Sequence, residues 1–294
     1  RHTRYIGDWS SDVCSSDLWE SKKMKLFDCF MYFDEDLVLD IRLHTLNELV
    51  DKFIIAEATL DHAGNNKKLN FDINNFSKFK HKIKYIVVED IPREVGQYKK
   101  GWAKDHIRDQ FQRNALSRGY IDALDNDSIM ISDIDEIPDP KKIPEFDEGN
   151  KYACFIQMNF QSKINQLNLT EPNWAGTKIC KKKFLKSPQW LRNIKTGKRP
   201  FWKLYKPAQP QIIENGGWHF SFLKSPKDIA KKINSFAHQE FNKEIYKSDS
   251  NIKDKIDSKS DLFGRDYKYQ SVKIDGKFPK YIQNNTDKFK DWIS

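Results

Sequence analysis

The sequence predicts an α/β fold, in which a largely parallel, doubly wound sheet is flanked by helices and wrapped by a C-terminal extension. Short apolar runs typical of buried strands alternate with stretches whose apolar residues recur at helical spacing. Of the 294 residues, 38% are hydrophobic and 13% are aromatic, so the chain can bury a large core. Strands that alternate with helices pair in parallel, and their carboxyl ends form the ligand site.

The elements follow one another from residue 26 onwards. Apolar or aromatic runs predict strands over 26–33, 52–58, 82–88, 128–132 and 152–158, with weaker strand candidates over 202–206 and 217–222. Apolar residues at helical spacing predict helices over 36–49, 102–118 and 226–236. The segment SDIDEIP at 132–138 therefore lies at the carboxyl end of the fourth strand, where a ligand site is expected.

Composition divides the chain into three parts. Residues 1–23 have no apolar periodicity and resemble a translated sequencing adapter, so we expect a non-native or disordered leader and exclude it from the fold. Residues 24–246 are expected to form the domain, and Met24 stands directly before its first strand. Residues 247–294 are polar with isolated aromatic anchors, so we expect them to pack on the domain as an extension.

Cysteine usage and hydropathy indicate the compartment. Cys14, Cys29, Cys154 and Cys180 are far apart and show no CxxC spacing, which favours free thiols in a reducing compartment. No apolar run approaches the roughly 18 residues that span a bilayer. The sequence therefore predicts a cytoplasmic protein without a transmembrane segment, and leaves open a peripheral position at the inner membrane face.

The positive charge is concentrated in one stretch, residues 181–206. The chain has a net charge of +9, and this stretch contains ten Lys or Arg residues and no Asp or Glu. A solvated surface explains it as readily as an anionic partner such as a membrane surface, a phosphorylated acceptor or nucleic acid. Because residues at the strand ends already account for a donor, we assign the stretch, with Lys181 to Lys183 at its start, to the acceptor side of the site, where Trp190, Phe201 and Trp202 offer stacking faces.

The chemistry is predicted to centre on Asp133 and Asp135. Residues two apart in an extended segment project to the same side, so both carboxylates face one site while Ile134 turns into the core. They suit Mn²⁺ or Mg²⁺, which are commonly bound by one or two carboxylates together with substrate phosphates. The same rule points Glu136 away from the two aspartates. A plain turn is the alternative, since Asp and Pro are common loop residues.

A second group of candidates lies in NGGWHFS at 215–221. Paired glycines let the backbone approach a ligand closely, Trp218 is suited to covering a sugar or base, and the His219 imidazole is a candidate metal ligand. An isolated histidine of this kind is more often packed in the core. Both interpretations of His219 stay open at this point.

Two further charged residues have a structural and a functional interpretation. Glu57 lies in the apolar strand end FIIAEAT, so it either accepts hydrogen bonds from the neighbouring loop or recognises the ribose or base of a nucleotide donor. Arg113, on the helix before the SDIDEIP strand, either pairs with a carboxylate of the domain or contacts a diphosphate.

Several segments, taken together and in order, resemble glycosyltransferase family 17. They are FDCFMYFDEDLVLDIRL at 27–43, VDKFIIAEAT at 50–59, FQRNAL at 111–116, SDIDEIP at 132–138, NWAGT at 173–177, GGWHFSFL at 216–223 and SFAHQEF at 235–241. The resemblance runs from about residue 26 to 285. Its most specific part is SDIDEIP followed at this distance by GGWHFSF.

The resemblance implies a fold of GT-A type, a Rossmann-like sheet that binds a nucleotide sugar, and inverting transfer of N-acetylglucosamine (GlcNAc) from UDP-GlcNAc with Mn²⁺. By position, Asp133 and Asp135 match the family's Asp-x-Asp motif, with Asp133 also at the donor. His219 falls where many enzymes of this fold carry a histidine facing the metal. The expected acceptor is a carbohydrate, either neutral or anionic and membrane-linked, and nucleic acid is disfavoured.

An inverting transferase also needs a general base that takes the proton of the acceptor hydroxyl. Glu214, close before the glycine pair, and Glu171, just before Pro172, are the carboxylates that sequence position favours, with Glu214 first.

Two other classes of protein compete with this interpretation. A sugar nucleotidyltransferase also uses metal-binding carboxylates on an α/β sheet, but such enzymes usually carry a Gly-rich phosphate loop after the first strand, and none follows residue 33. A non-catalytic basic protein that binds glycans or nucleic acid would explain the charge but leaves SDIDEIP unexplained. The predicted function is therefore metal-dependent glycosyl transfer.

Overall fold

The computed structural model describes residues 24–61, 64–92, 106–147, 149–197, 207–235 and 248–294. The strands are β1 (Leu26–Met31), β2 (Lys52–Ala58), β3 (Ile83–Val88), β4 (Ser128–Asp133), β5 (Glu136–Pro138), β6 (Tyr152–Gln161), β7 (Gln166–Asn168), β8 (Asn173–Lys181), β9 (Gln211–Ile213), β10 (Gly217–Ser221) and β11 (Tyr269–Ser271). The α-helices are α1 (Asp36–Leu46), α2 (Ile107–Ala115), α3 (Pro188–Arg192), α4 (Pro226–Ser235), α5 (Asp249–Asp257) and α6 (Lys280–Gln283). The leader over 1–23 and the strand predicted over 202–206 lie outside the described residues.

The N-terminal half of the sheet is parallel, as predicted, in the order β3-β2-β1-β4. Cys29 in the middle of β1 lies between Ile54 of β2 and Ile131 of β4. The chain moves from β1 to β2 and β3 on one side, and β4 is added on the other side. The strand order therefore reverses between β1 and β4, and their carboxyl ends are where a ligand cleft forms in such a sheet.

Helices cover both faces of this parallel half. Phe53 and Ile55 of β2 pack on the face that α1 covers, whereas Ile54 and Ala56 pack on the opposite face with α2. The fully apolar centre of β2 is typical of a strand buried on both sides, which parallel pairing requires.

Antiparallel strands extend the sheet beyond β4, a feature that the sequence pattern did not predict. β8 pairs antiparallel with both β4 and β6, and β7 and β11 continue the sheet past β6. β10 runs parallel to β6 on one side and antiparallel to β5 on the other. Strand β10 is thereby placed next to the segment that follows β4.

The predicted helices are shorter in the structure. The helix predicted over 36–49 ends at Leu46, and a turn continues to Leu49. The helix predicted over 102–118 is described from Ile107 to Ala115 and is followed by the 3₁₀ helix Leu116–Gly119. Residues 102–105 lie outside the described part.

The C-terminal residues pack on the domain. β11 pairs with β7, and Phe278, Ile282 and Phe289 join the apolar cluster on the α1 face of the sheet. Helices α4 and α5 share a smaller apolar cluster that includes Ile229 and Ile252.

The cysteines of the described residues are free thiols, as predicted. Cys29, Cys154 and Cys180 are buried and form no disulfide, whereas Cys14 lies outside the described residues. Among the helices of the described ranges, none has the length and apolar character needed to cross a bilayer.

Candidate active site

A cavity of about 670 Å³ opens at the carboxyl ends of β1 and β4. Met31 and Asp133, the last residues of these two strands, are paired in the sheet and both line the cavity. The cavity therefore occupies the position where the strand order reverses, as the ligand rule for doubly wound sheets predicts.

The segment that follows β4 brings both predicted aspartates to this cavity. β4 ends at Asp133, a two-residue turn contains Ile134 and Asp135, and β5 begins at Glu136. Both aspartates line the cavity; Ile134 also borders it, but its side chain is buried and packs in the apolar core. The backbone turn, and not the extended alternation assumed from sequence, produces this arrangement.

Glu136 corrects the sequence prediction, which pointed its side chain away from the aspartates. Its buried carboxylate accepts hydrogen bonds from the Asp133 backbone N–H (3.1 Å), Arg192 Nη2 (2.6 Å) and Trp174 Nε1 (2.7 Å). The prediction was wrong because the turn at Ile134 and Asp135 interrupts the period-two alternation on which it rested.

The Asp133 carboxylate is held between two arginines. Arg113 Nη2 donates to Oδ1 (3.1 Å) and Arg192 Nη2 donates to Oδ2 (2.9 Å). Burial on its own would raise the pKa of Asp133, but the two guanidinium groups hold that pKa well below its ordinary value. Asp133 is thus ionised, and its charge is already compensated by the protein.

Arg113 takes the first of its two predicted roles, pairing with carboxylates. Besides Asp133, its guanidinium contacts Asp109 one helical turn earlier, through two hydrogen bonds of 3.0 Å. It also donates to Gln189 Oε1 of α3 (2.6 Å). Because Arg113 lines the cavity as well, one side chain links α2, α3 and the carboxyl end of β4.

Asp135 lies in a different electrostatic environment from Asp133. Its Oδ1 is 3.8 Å from His219 Nε2, and among the described residues none donates a hydrogen bond to its carboxylate. Burial raises the pKa of Asp135 above its ordinary value, against the opposing influence of His219 and Lys232. The protein therefore compensates the negative charge of Asp135 less than that of Asp133.

His219 directs its Nε2 towards Asp135. The Asn159 amide nitrogen donates to the Glu171 carbonyl (3.0 Å), so the Asn159 oxygen is the acceptor for His219 Nδ1–H (3.1 Å). This hydrogen bond keeps a proton on Nδ1 and leaves Nε2, the atom that faces Asp135, as the ring nitrogen available to a cation. Trp174 stacks on the ring with centroids 4.5 Å apart and an interplanar angle of 20°.

Trp218, which we expected to cover a sugar or base, lies outside the cavity. Residues alternate along β10, so His219 and Ser221 face the cavity while Trp218 and Phe220 face the core. Trp218 is 3% exposed, and its Nε1 donates to the Lys277 carbonyl (2.8 Å).

The paired glycines before Trp218 serve packing. Gly217 has a φ of +136°, and a Cβ at this position would lie 2.2 Å from the Ile137 carbonyl oxygen. A Cβ on Gly216 would lie 2.8 Å from the Cβ of Phe155. Only residues without a side chain allow β10 to approach β5 and β6 this closely.

Glu57 takes the structural alternative of its two predicted roles. Its fully buried carboxylate pairs with Lys67 and accepts hydrogen bonds from Tyr85 Oη (2.8 Å) and from the backbone N–H groups of Asn70 (2.8 Å) and Phe71 (3.1 Å). Lys67 lines the cavity, whereas Glu57 does not. Glu57 therefore shapes the wall of the cavity by fixing the loop that follows β2.

Replacing Glu57 with Ala is expected to lower the free energy of unfolding by about 1–3 kcal/mol, because Tyr85 and the backbone N–H groups of Asn70 and Phe71 lose their buried acceptor. Urea denaturation measures this change. Glu89→Ala, an exposed glutamate just after β3, is the control and is expected to change stability by no more than about 0.5 kcal/mol. Equal stability of the two variants would contradict the anchoring role of Glu57.

The two carboxylates predicted as general bases, Glu214 and Glu171, are both exposed and do not line the cavity. Glu214 follows β9, which pairs with β6 at Phe155, whereas His219 pairs with β6 at Asn159. Four residues of extended strand separate these levels by roughly 13 Å. Closeness in sequence to the glycine pair therefore does not bring Glu214 to the site.

The basic stretch over 181–206 divides between two ends of the sheet. β8 runs antiparallel to β4, so Lys178 lies beside Ile131 near the cavity, while Lys181 lies beside Ser128 at the opposite end. Five residues of β4 place Lys181 roughly 17 Å from Asp133. The assignment of Lys181 to Lys183 to the acceptor side was therefore wrong. Within the described residues, Arg192 and Lys195 are the basic members of the stretch that line the cavity.

Sequence reasoning missed several residues of the site. Arg192 is one of ten basic residues in the stretch over 181–206 and was not distinguished from the others. Trp174 lies in the NWAGT segment, but it was not named as a site residue. Lys232 of α4 lines the cavity and lies 3.4 Å from Glu35, which follows β1. An arginine or lysine becomes a site candidate only when its partner is known, and these partners lie far away in sequence.

The chain can now be assigned to a family of enzymes. The predicted α/β fold with helices on both faces of a parallel sheet is confirmed, and the Asp133–Asp135 turn lies at the carboxyl end of β4. Residues 4–290 match the model of glycosyltransferase family 17. The match spans nearly the whole chain, and the protein belongs to glycosyltransferase family 17.

Characterised relatives align over part of the chain. The β-1,4-mannosyl-glycoprotein 4-β-N-acetylglucosaminyltransferases of Homo sapiens and Rattus norvegicus are each 30% identical to it over 109 residues. The alignment covers 34% of this chain and 19% of each relative.

Solved structures show a weaker likeness. Glucosyl-3-phosphoglycerate synthase from Mycobacterium tuberculosis, in complex with Mn²⁺, UDP and phosphoglyceric acid, has a TM-score of 0.35 at 12% identity, over 89% of this chain and 92% of that one. A glycosyltransferase involved in glycosylation of the major capsid of PBCV-1 has a TM-score of 0.28 at 13% identity, over 65% and 80% of the two chains.

Proposed function

We propose that the protein is an inverting glycosyltransferase that uses a divalent cation to transfer GlcNAc from UDP-GlcNAc to a glycan. One observation carries the proposal: the buried Asp135 carboxylate and His219 Nε2 face each other at 3.8 Å in the cavity where the strand order reverses. Membership of glycosyltransferase family 17 supports glycosyl transfer as the reaction.

The residues present fit a cation whose coordination shell is shared with the substrate. Among the described residues, no group of three or more His, Cys, Asp or Glu side chains is arranged to hold a metal on its own. Mn²⁺ and Mg²⁺ are commonly bound by one or two carboxylates and substrate phosphates, which is a smaller demand on the protein. Asp135 supplies an oxygen and His219 a nitrogen, and a cation would offset the cost of burying the Asp135 charge.

Asp133 was assigned from the sequence as a direct metal ligand, but we propose a different role for it. Its two oxygens accept hydrogen bonds from Arg113 and Arg192, so in the proposed site it orients these arginines beside the donor diphosphate. Arginine suits this role because its guanidinium stays charged when it is buried, so it provides positive charge beside the diphosphate while its hydrogen bonds to the carboxylates hold it in place.

The site is proposed to act by compensating the negative charge of the diphosphate leaving group. When bound, the cation would stabilise the negative charge that grows on the departing diphosphate. Arg113, Arg192 and Lys232 line the same cavity and hold positive charge in fixed positions, so little reorganisation is needed as the leaving group departs.

The acceptor is proposed to be a carbohydrate. The relatives in Homo sapiens and Rattus norvegicus are named for action on a mannosyl-glycoprotein, which supports a glycan as the acceptor class. Trp174 has one face against His219 and lines the cavity, so its indole is positioned to contact a sugar ring.

UDP-GlcNAc is expected to bind at least tenfold more weakly in EDTA than in Mn²⁺, because the diphosphate would otherwise approach the Asp135 carboxylate without a cation between them. Titration calorimetry in the two buffers measures this difference. Uridine, which has no phosphates, is the control ligand and should bind with the same affinity in both. Equal affinities for UDP-GlcNAc would contradict the proposed cation site.

A further inference from the structure

Arg42 and Asp28 form an ion pair that is completely enclosed in the domain. Arg42 of α1 donates from Nε to Asp28 Oδ2 (2.7 Å) and from Nη2 to Asp28 Oδ1 (2.6 Å), and both side chains are 0% exposed. The guanidinium carbon also lies 4.4 Å from the centre of the Phe30 ring. Burying two charges is costly unless their remaining hydrogen-bonding groups are also satisfied.

The remaining donors of Arg42 all reach the segment that carries the site aspartates. Nη1 donates to the carbonyls of Asp133 (3.2 Å), Ile134 (3.0 Å) and Glu136 (2.9 Å). Nη2 donates to Ser132 Oγ (2.7 Å). One guanidinium therefore contacts four of the five residues from 132 to 136, and it does so from beneath, since Arg42 does not line the cavity.

We propose that Arg42, held by Asp28, is the positioning residue of the active site: it fixes the backbone turn so that Asp135 faces the cation and Asp133 faces Arg113 and Arg192. The carbonyls of Ile134 and Glu136 are buried, and together with the Asp133 carbonyl they accept from the two N–H groups of Arg42 Nη1, one of which is shared between two acceptors. This role rests on the proposed function.

The positive charge of Arg42 is not sufficient for this positioning role, which also needs the geometry of the guanidinium group. A lysine in its place has three donors around one nitrogen, and such a point charge cannot serve the Asp28 carboxylate and three separated carbonyls together. A displacement of reacting groups by about 1 Å is enough to cost about 10²-fold in rate. A loosened turn is therefore expected to reduce catalysis even in a folded protein.

The test compares two variants with one control. Arg42→Met combined with Asp28→Val replaces the ion pair by apolar side chains of similar total volume, an exchange that proteins often tolerate. Arg42→Lys keeps the charge and loses the fork. Leu39→Met, a volume-conserving change at another fully buried position of α1, is the control for altered helix packing.

Hydrogen exchange of a peptide covering 132–138 provides a readout that does not depend on activity. In the double variant and in Arg42→Lys, exchange in this peptide is expected to be at least tenfold faster, while peptides from β2 exchange as in the parent protein. Turnover with UDP-GlcNAc and Mn²⁺ is expected to fall about 10²-fold, with a smaller change in the donor KM. Leu39→Met should change neither quantity.

The outcomes separate the two proposals. Parental exchange in 132–138, together with turnover within threefold of the parent protein, in a folded double variant or in Arg42→Lys would overturn the positioning role. If the double variant does not fold, Arg42→Lys decides. Faster exchange in this peptide in a protein whose parent form releases no nucleotide from any sugar donor would support the Arg42 assignment and overturn the glycosyltransferase function.

Discussion

Asp135→Asn is expected to reduce turnover by at least about 10²–10³-fold while leaving the protein as stable as before or slightly more stable. Asparagine has nearly the same shape but cannot supply the charge that holds a cation. Burial raises the pKa of Asp135, which means that the folded protein disfavours its ionised form, and a neutral amide removes that cost. Initial rates with UDP-GlcNAc and Mn²⁺, together with thermal unfolding, measure both effects.

Asp133→Asn is the matched comparison and is expected to behave differently. Its ionised carboxylate stabilises the folded state through Arg113 and Arg192, so its loss lowers stability as well as activity. A folded Asp135→Asn variant with near-parental turnover would remove the basis for the cation site. If both variants lost the same stability, the distinction between the two aspartates would be incorrect.

Asp28→Ala is expected to cost about 3–5 kcal/mol of the free energy of unfolding, because it leaves the Arg42 guanidinium buried without its counter-charge. A loss of this size corresponds to a fall in Tm of the order of 10 °C. Urea denaturation and calorimetry measure it. Asp122→Ala removes an aspartate whose side chain is 66% exposed and is expected to change stability by about 0.5 kcal/mol or less. Similar stabilities of the two variants would contradict the account of the buried pair.

Local sequence patterns predicted the strands that position the site. The apolar runs over β1, β2 and β4 have the composition of strands buried on both faces, and this pattern depends on neighbouring residues alone. Since ligands bind at the carboxyl ends of such strands, the position of Asp133 and Asp135 at the cavity followed from the order of the elements.

Contacts between residues far apart in the sequence could not be predicted from local sequence patterns. Arg42 contacts the turn across 91 to 94 residues of sequence, and Arg192 reaches Glu136 across 56. Periodicity in a short window carries no information on such pairs, so neither arginine stood out. The turn between β4 and β5 likewise depends on β10 pairing with β5, a contact between segments about 80 residues apart.

Trp218 and Glu57 show how a rule can be applied incompletely. Strand alternation, used to place Asp133 and Asp135 together, also forbids adjacent Trp218 and His219 from facing the same cavity. For Glu57, the buried surroundings required hydrogen-bond partners, and the loop after β2 provides them.

The most direct test of the account is the identity of the nucleotide released from a panel of UDP-, GDP- and CMP-sugars, offered with a glycan acceptor and Mn²⁺. We predict release of UDP from UDP-GlcNAc, dependent on the cation and abolished by EDTA. Synthesis of UDP-GlcNAc from UTP and the sugar phosphate would instead identify a nucleotidyltransferase. Absence of nucleotide release from every donor, or UDP release that persists unchanged in EDTA, would contradict metal-dependent transfer at the Asp135–His219 site.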